Sequence, residues 1–408
     1  MRILSVAPYV PYAGIPHAGG SYLLRHLQEM SASGNDVALL VPGIPEQLAH
    51  VADAPDWLEL VMGPHVIEGR TLVRRLRDAV YRRAMNSPPA PTAESIRSVV
   101  SAGLIQLSRE ADVVELHWAE YARFASILRR AGIRKPIAIV EHDVELHLAA
   151  ERIRAHARGY RRTLALLTAP LARHKERRGL IDADLVLCFK SADEQTLRAA
   201  GVGTAVQVID PWLDEPHSEA DGRLPRSVLF AGALWRPENE DAVVWFLQNV
   251  WPQVKSAVPA ATFAVVGAQP TDRLRQVARE YDGVEVIADV ADLVPYYQRA
   301  SLFVAPLFAP GGLKFKVPQA MRCGLPVVAT TVAAEGIVGV APPDALWKVT
   351  DDASEMAASI IMALDEPAQA AAVGLAAQAW CVEFYSFSGS IARLLDSYRD
   401  LAAQRSSP

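Results

Sequence analysis

The run Val304-Ala305-Pro306-Leu307-Phe308-Ala309-Pro310-Gly311-Gly312-Leu313-Lys314-Phe315-Lys316-Val317-Pro318-Gln319-Ala320-Met321 holds the residue types best suited to chemistry. An apolar strand-like segment ends at Pro306, two glycines follow, and a helical pattern opens near Val317. Pro318 falls in the first turn, where a missing N–H costs little because that group has no helical partner. Gly324 is a natural stop after the helix, and the next apolar run begins at once. Paired glycines let a backbone approach a ligand closely, and a helix start offers N–H donors with partial positive charge. Lys314 and Lys316 add two ammonium groups beside it. Together these features describe a site for a diphosphate. Read more plainly, the lysines are solvent-facing residues of a helix start.

Such a loop needs a scaffold, and the chain supplies a repeating one. Short Val-, Ile- and Leu-rich runs predict strands at Ile3–Ala7, Val37–Val41, Val113–Leu116, Ile137–Val140, Leu185–Cys188 and Val206–Ile209. A second series follows at Val228–Ala231, Thr262–Val266, Val284–Ile287, Leu302–Ala305 and Pro326–Thr330. Strands apolar on both faces and separated by helical patterns form a parallel sheet covered on both sides. One such helix follows Asn239, where Ala242, Trp245, Phe246 and Val250 fall at i, i+3, i+4 and i+8. Two series predict two doubly wound, Rossmann-like domains, each able to bind a ligand at the carboxyl ends of its strands. Periodicity fails over Asp210–Pro225, rich in Pro, Asp and Gly. The expected division is residues 1–208, a linker at 209–225, and residues 226–384.

Composition bounds the function. A chain of 408 residues is too long for one compact core, and its net charge of −5 does not suggest a nucleic-acid partner. Cys188, Cys323 and Cys381 form no metal-binding or disulfide pattern, which fits a reducing compartment. The opening Met1–Ala7 reads as a strand rather than a leader, and no apolar run reaches the length of a membrane span. The expected location is the cytoplasm. Two basic stretches, Arg70–Arg83 and Arg152–Arg178, read first as solvated helix faces. Their other reading is a surface for anionic headgroups, giving peripheral contact with the inner face of a membrane.

The 304–328 segment resembles the nucleotide-sugar signature of the retaining family-four glycosyltransferases (glycosyl transferases group 1). In one subgroup the loop reads approximately Gly-Gly-x-Arg-x-Lys-x-x-Glu-Ala-Met, then Gly-x-Pro-Val-Val. Further matches keep the same register: Phe230-Ala231-Gly232 with Trp235, Pro237, Glu238 and Asn239; Pro259–Gly267; Asp289–Leu293; and Ala334-Glu335-Gly336-Ile337. The resemblance covers residues 227–340 and implies the GT-B fold, two Rossmann-like domains facing a central cleft. It implies transfer of a sugar from a nucleoside-diphosphate donor to a hydroxyl of a glycan, lipid-linked or natural-product acceptor. Gly311 and Gly312 would reach the donor diphosphate, while Lys314 and Lys316 would neutralise it and the departing nucleotide. No metal or other cofactor is implied, since lysines and a helix terminus can take a metal's place. Gly232, Arg236 and Asn239 would line the same site, and Glu335 would bind a sugar hydroxyl or cap a helix.

One position departs from the pattern. Gln319 stands where the family has a glutamate that accepts from the donor ribose, and an amide cannot accept twice with charge. The departure implies either a different donor, such as a deoxyribose nucleotide, or a decayed module that serves as scaffold for an active transferase. A sugar-nucleotide epimerase on the same architecture is a further alternative. In the first half, Gly19-Gly20, ahead of a helix at Ser21–Ser33 with Ser21 as its cap, resembles the family's glycine-rich loop. His117 resembles its cleft histidine, expected at the donor sugar. His142, Asp143 and Glu145 follow a strand and are expected to orient the acceptor. The amphipathic segment 385–408 would cross back onto the first domain, as the terminal helix does in GT-B proteins.

Overall fold

The computed structural model describes residues 1–15, 18–65, 93–142, 177–216, 222–309 and 311–406. The first sheet contains β1 (Arg2–Val6), β2 (Asp36–Val41), β3 (Glu59–Met62), β4 (Val113–His117), β5 (Ile137–Val140), β6 (Leu185–Cys188) and β7 (Ala205–Val208). The second contains β8 (Ser227–Ala231), β9 (Thr262–Gly267), β10 (Val284–Ala288), β11 (Leu302–Ala305), β12 (Val327–Ala329) and β13 (Lys348–Val349). Their orders are β3-β2-β1-β4-β5-β6-β7 and β10-β9-β8-β11-β12-β13. Every pairing among the described residues is parallel.

Both sheets therefore reverse strand order at an internal point, between β1 and β4 in the first and between β8 and β11 in the second. Adjacent loops leave in opposite directions there and open a crevice at the carboxyl ends of the strands. Gly19 follows β1, His117 ends β4, Gly232 follows β8, and Gly311 follows β11. The site residues gather at the two places where this topology makes room.

Buried aliphatic and aromatic side chains fill separate cores. One surrounds the second sheet, with Phe230, Phe246, Trp251 and Phe263 at its centre. Two others cover the faces of the first sheet. The helix Phe387–Ser406 lays Phe387, Ile391, Leu394, Leu395 and Tyr398 against the first sheet, at i, i+4, i+7, i+8 and i+11. Asp210 helps dock its start: Asp210 N donates to Ser390 Oγ at 3.0 Å, and Ser386 N donates to Asp210 Oδ2 at 3.3 Å.

Some expectations need correction. Strands β3 and β13 lie at sheet edges, where half-buried residues lack the continuous apolar run of a central strand. Helix 18–32 begins at Ala18, so Ser21 lies inside its first turn rather than capping it. His117 is the last residue of β4, not the first of a loop. The basic stretch 70–83, all but Arg177 and Arg178 of the stretch 152–178, and the linker residues 217–221 lie outside the described residues. Among the described residues no single helix is long and apolar enough to cross a membrane.

Candidate functional site

The second-domain wall is built around Lys316. It opens the short helix Lys316–Arg322, and its side chain runs back beneath the loop after β8. Its Nζ donates to Asn239 Oδ1 at 2.6 Å and sits 4.2 Å from the centre of the Phe230 ring. A Cβ at position 232 would lie 2.6 Å from that ammonium, so Gly232 leaves the lysine room in this place. Asn239 donates to Ala233 O at 2.8 Å, so its amide is committed to holding Lys316 and the loop. Loss of hydration, reinforced by the charge of Lys314, brings the Lys316 ammonium down to about 7. Such a group is poised to gain a proton, and an anion, together.

Arg236 precedes the helix Pro237–Asn249 and is half exposed, with Nε 3.3 Å from Glu238. Its charge reaches the first domain. Burial and Glu120 push the Tyr9 hydroxyl's pKa up, while Arg236 pulls it back. Lys314, Lys316 and Arg236 thus form one cationic group, as expected for a polyanion site. Gly311 and Gly312 are both buried.

The loop carrying these glycines is docked on the first domain. Phe315 packs edge-on against Phe189, with ring centres 5.3 Å apart, and lies 6.4 Å from Tyr22. Lys190, just after β6 and 5% exposed, donates to Gly311 O and Glu335 Oε2, both at 2.8 Å. Glu335 is therefore engaged by a first-domain lysine instead of capping a helix. Gln319 is spent on the linker: Asp214 N donates to its Oε1 at 2.8 Å and its Nε2 donates to Asp214 O at 2.9 Å. That bidentate clasp requires one acceptor and one donor, which an amide has and a carboxylate lacks. Gln319→Glu should cost about 1 kcal/mol of stability without tightening nucleotide binding. Urea midpoints and titration calorimetry test this; tighter binding with unchanged stability would contradict it.

The first-domain wall is aromatic. Trp118 follows β4 at φ 72°, a strained setting for a bulky residue and one concentrated at functional sites. Its indole stacks on His142 at 4.0 Å and meets Tyr9 edge-on at 5.3 Å. A Cβ on Gly19 would come within 3.0 Å of that indole, which accounts for a glycine there. Gly20 is buried one residue further along the same turn. His117 is completely buried next to this stack, its ring 6.2 Å from Trp118 and 6.1 Å from His142. Asp143 and Glu145 lie outside the described residues.

Residues 225–366 match the family model described as glycosyl transferases group 1. The second domain is a group 1 glycosyltransferase domain. A 44.6 kDa protein of the cps region of Klebsiella pneumoniae is 30% identical over 117 residues, 27% of this chain and 30% of its own length. The GDP-mannose-dependent alpha-(1-6)-phosphatidylinositol monomannoside mannosyltransferase of Mycolicibacterium smegmatis is 25% identical over 296 residues, 65% of this chain and 74% of its own. In three dimensions the chain resembles sucrose-phosphate synthase from Thermosynechococcus elongatus, with a TM-score of 0.70 at 16% identity, over 99% of this chain and 100% of that one. The architecture is GT-B, two facing domains of parallel sheet.

The group 1 domain brings together Gly232, Arg236, Asn239, Lys314 and Lys316, while Gly311 is held by Lys190 and Gln319 is set aside at the linker. The Asp182-Ala183-Asp184 tripeptide has a spacing that can hold a metal, yet it precedes β6, at the end of the sheet away from the cleft. Asp184 is bound there by Arg129, Arg405 and the backbone N–H of Ile137. Sequence reasoning passed over Lys190, Trp118, Glu115 and His26. A lysine after an apolar strand looks like surface, and a tryptophan beside a histidine carries no spacing signal. Glu115 stood inside an apolar run, and a carboxylate at a core position was the one hint available.

Proposed function

We propose that this chain transfers a glycosyl group from a nucleoside-diphosphate sugar to a hydroxyl acceptor, with retention at the anomeric carbon and without a metal. The observation that carries this reading is the convergence of Lys316, Lys314 and Arg236 around Gly232, opposite the aromatic wall of the first domain. When the bond from the sugar to the diphosphate breaks, negative charge grows on the departing phosphate. Fixed cations beside it lower that barrier, and each such group is worth about 10²–10³ in rate. The donor's diphosphate lies along Gly232, Gly311 and Gly312, and its sugar reaches across toward Gly19 and His117. The acceptor approaches over Tyr9, Trp118 and His142, whose apolar faces suit the C–H face of a sugar ring or a lipid-linked glycan. The named activity of the mycobacterial relative, a mannosyltransferase with a phosphatidylinositol mannoside acceptor, favours this class of reaction.

Gln319 had pointed to a module without catalysis. Its clasp on Asp214 supplies a different reason for an amide there and weighs against that reading. The deciding measurement is titration calorimetry with UDP, GDP, ADP and TDP, followed by multiple-turnover assay of the matching sugar donor with hydroxyl acceptors. One nucleotide should bind selectively, its release should depend on acceptor, and the product anomer, read by NMR, should match the donor's. Binding of none of the four, or conversion of donor without acceptor, would overturn the proposal.

A further inference from the structure

The carboxylate of Glu115 is completely buried in the middle of the first sheet and serves donors from three other elements. Tyr398 of the C-terminal helix donates to Oε1 at 2.5 Å, and His26 Nε2 lies 3.0 Å from the same oxygen. Ser5 of β1 donates to Oε2 at 2.6 Å, and His117 Nε2 lies 3.5 Å from that second oxygen. His26 is held from its far side by Tyr22, whose hydroxyl lies 3.1 Å from Nδ1.

His26, Glu115 and His117 bring potential metal-ligating atoms within 4.8 Å of one another. Both carboxylate oxygens already serve protein donors at hydrogen-bond length, so the cluster reads as a hydrogen-bond hub. Burial alone would push the Glu115 carboxyl up, but His26 foremost, with the N–H of His117 beside it, outweighs burial and holds the carboxyl well below its usual range. Ionised Glu115 can only accept, so each imidazole nitrogen facing it carries a proton. Burial keeps the ring of His117 largely neutral. A neutral imidazole has one N–H to place, and the carboxylate draws it to Nε2. Nδ1 is buried and has no hydrogen-bond partner among the described residues; Nε2, 3.5 Å from Oε2, is held by the carboxylate's charge rather than by a hydrogen bond of good geometry.

Resting on the glycosyl-transfer reading, we propose that Glu115 is the positioning residue for His117: it fixes the Nε2–H tautomer and leaves Nδ1 as an acceptor for a sugar hydroxyl at the cleft end of β4. Tyr398 and His26 pin Oε1, so Oε2 is the oxygen that faces His117. The C-terminal helix, which follows the second domain in sequence, thereby takes part in setting a first-domain histidine. His117 is covered in this arrangement, and a hydroxyl reaching Nδ1 displaces part of the Trp118–His142 stack.

Glu115→Gln separates this role from simple packing. Two strong donors meet at Oε1, so the amide oxygen stays there and its NH₂ takes the Oε2 position. Ser5 can rotate to accept from it, and His117 must present a bare Nε2, moving its proton to Nδ1. Full-length protein labelled with ¹⁵N-histidine reads this directly, with the His117 signals assigned by their loss in His117→Gln. Wild type should show a pyrrole-type Nε2 and a pyridine-type Nδ1, and Glu115→Gln should exchange them. The variant's turnover should fall about 10²–10⁴-fold, with nucleotide affinity unchanged. A pyrrole-type Nδ1 in wild type, or no exchange in a folded variant, overturns the proposal. Because the wild-type spectrum needs no turnover, it tests the tautomer even if the chain transfers no sugar.

Discussion

Lys316→Met should weaken binding of the selected nucleotide about 10- to 100-fold and slow transfer about 10²–10³-fold, while making the ligand-free protein more stable at neutral pH. The methionine keeps the apolar stem over Phe230 and removes an ammonium that burial already disfavours. In the unfolded chain that lysine titrates near 10.4; in the fold its pKa is about 7. Between those values the unfolded chain binds more protons than the folded one, so wild-type stability gains a contribution that grows as pH rises through this window. The variant lacks that slope. Binding shows the converse. At pH 8 the free lysine is mostly neutral, and a diphosphate that needs its charge must take up a proton on binding. At pH 6 it is already charged, and uptake by this group vanishes. Calorimetry at both pH values, in buffers of different ionisation enthalpy, counts those protons, with Lys316→Met as the baseline. Equal uptake in the variant and wild type at pH 8 would rule out Lys316 as the proton acceptor.

Gly267→Ala should be the most damaging single methyl in the second domain. Gly267 ends β9 at φ 155°, and a Cβ there would sit 1.7 Å from the carbonyl oxygen of Gly232. Both partners are backbone, one at the end of β9 and the other just after the adjacent β8, so no side chain can swing away. Relief requires moving the loop after β8, the same loop that Lys316 and Asn239 hold. A loss of about 3–5 kcal/mol is expected, with nucleotide binding gone in whatever remains folded. Gly14→Ala is the fitting control: its φ is 82° but nothing lies within 4 Å of the added carbon. That change should cost only about 1 kcal/mol, for backbone strain alone. Urea unfolding of both variants decides, and equal midpoints would contradict the crowding argument.

The two walls of the cleft differ in how they could be read in advance. Gly311, Gly312, Lys314 and Lys316 lie within six residues, so strand end, glycine turn, cations and helix start were visible together in one window. Buried parallel strands such as Leu302–Ala305 and Ile137–Val140 announced themselves because burial on both faces demands an unbroken apolar run. Edge strands β3 and β13, with one side open, do not meet that demand and passed unnoticed. His117 and Gly19 stood out as residue types, but their meaning came from neighbours distant in sequence: Gly19 yields to Trp118, 99 residues on, and His117 answers to Glu115 and through it to Tyr398, 283 residues from that glutamate.

Local chemistry in this chain was therefore set by the sequence itself: the periodicity of two strand series, the punctuation between them, and one compact anion-binding loop. These depend on backbone geometry within a few residues, which composition and spacing dictate directly. Everything that turns on partners was decided by the tertiary structure. Lys316 sheds much of its water where Gly232 and Asn239 lie against it; Gln319 spends its amide on Asp214, and Lys190 joins Gly311 to Glu335. A side chain's charge state and hydrogen-bond commitments are properties of the groups around it, and only folding brings those groups within about 3 Å.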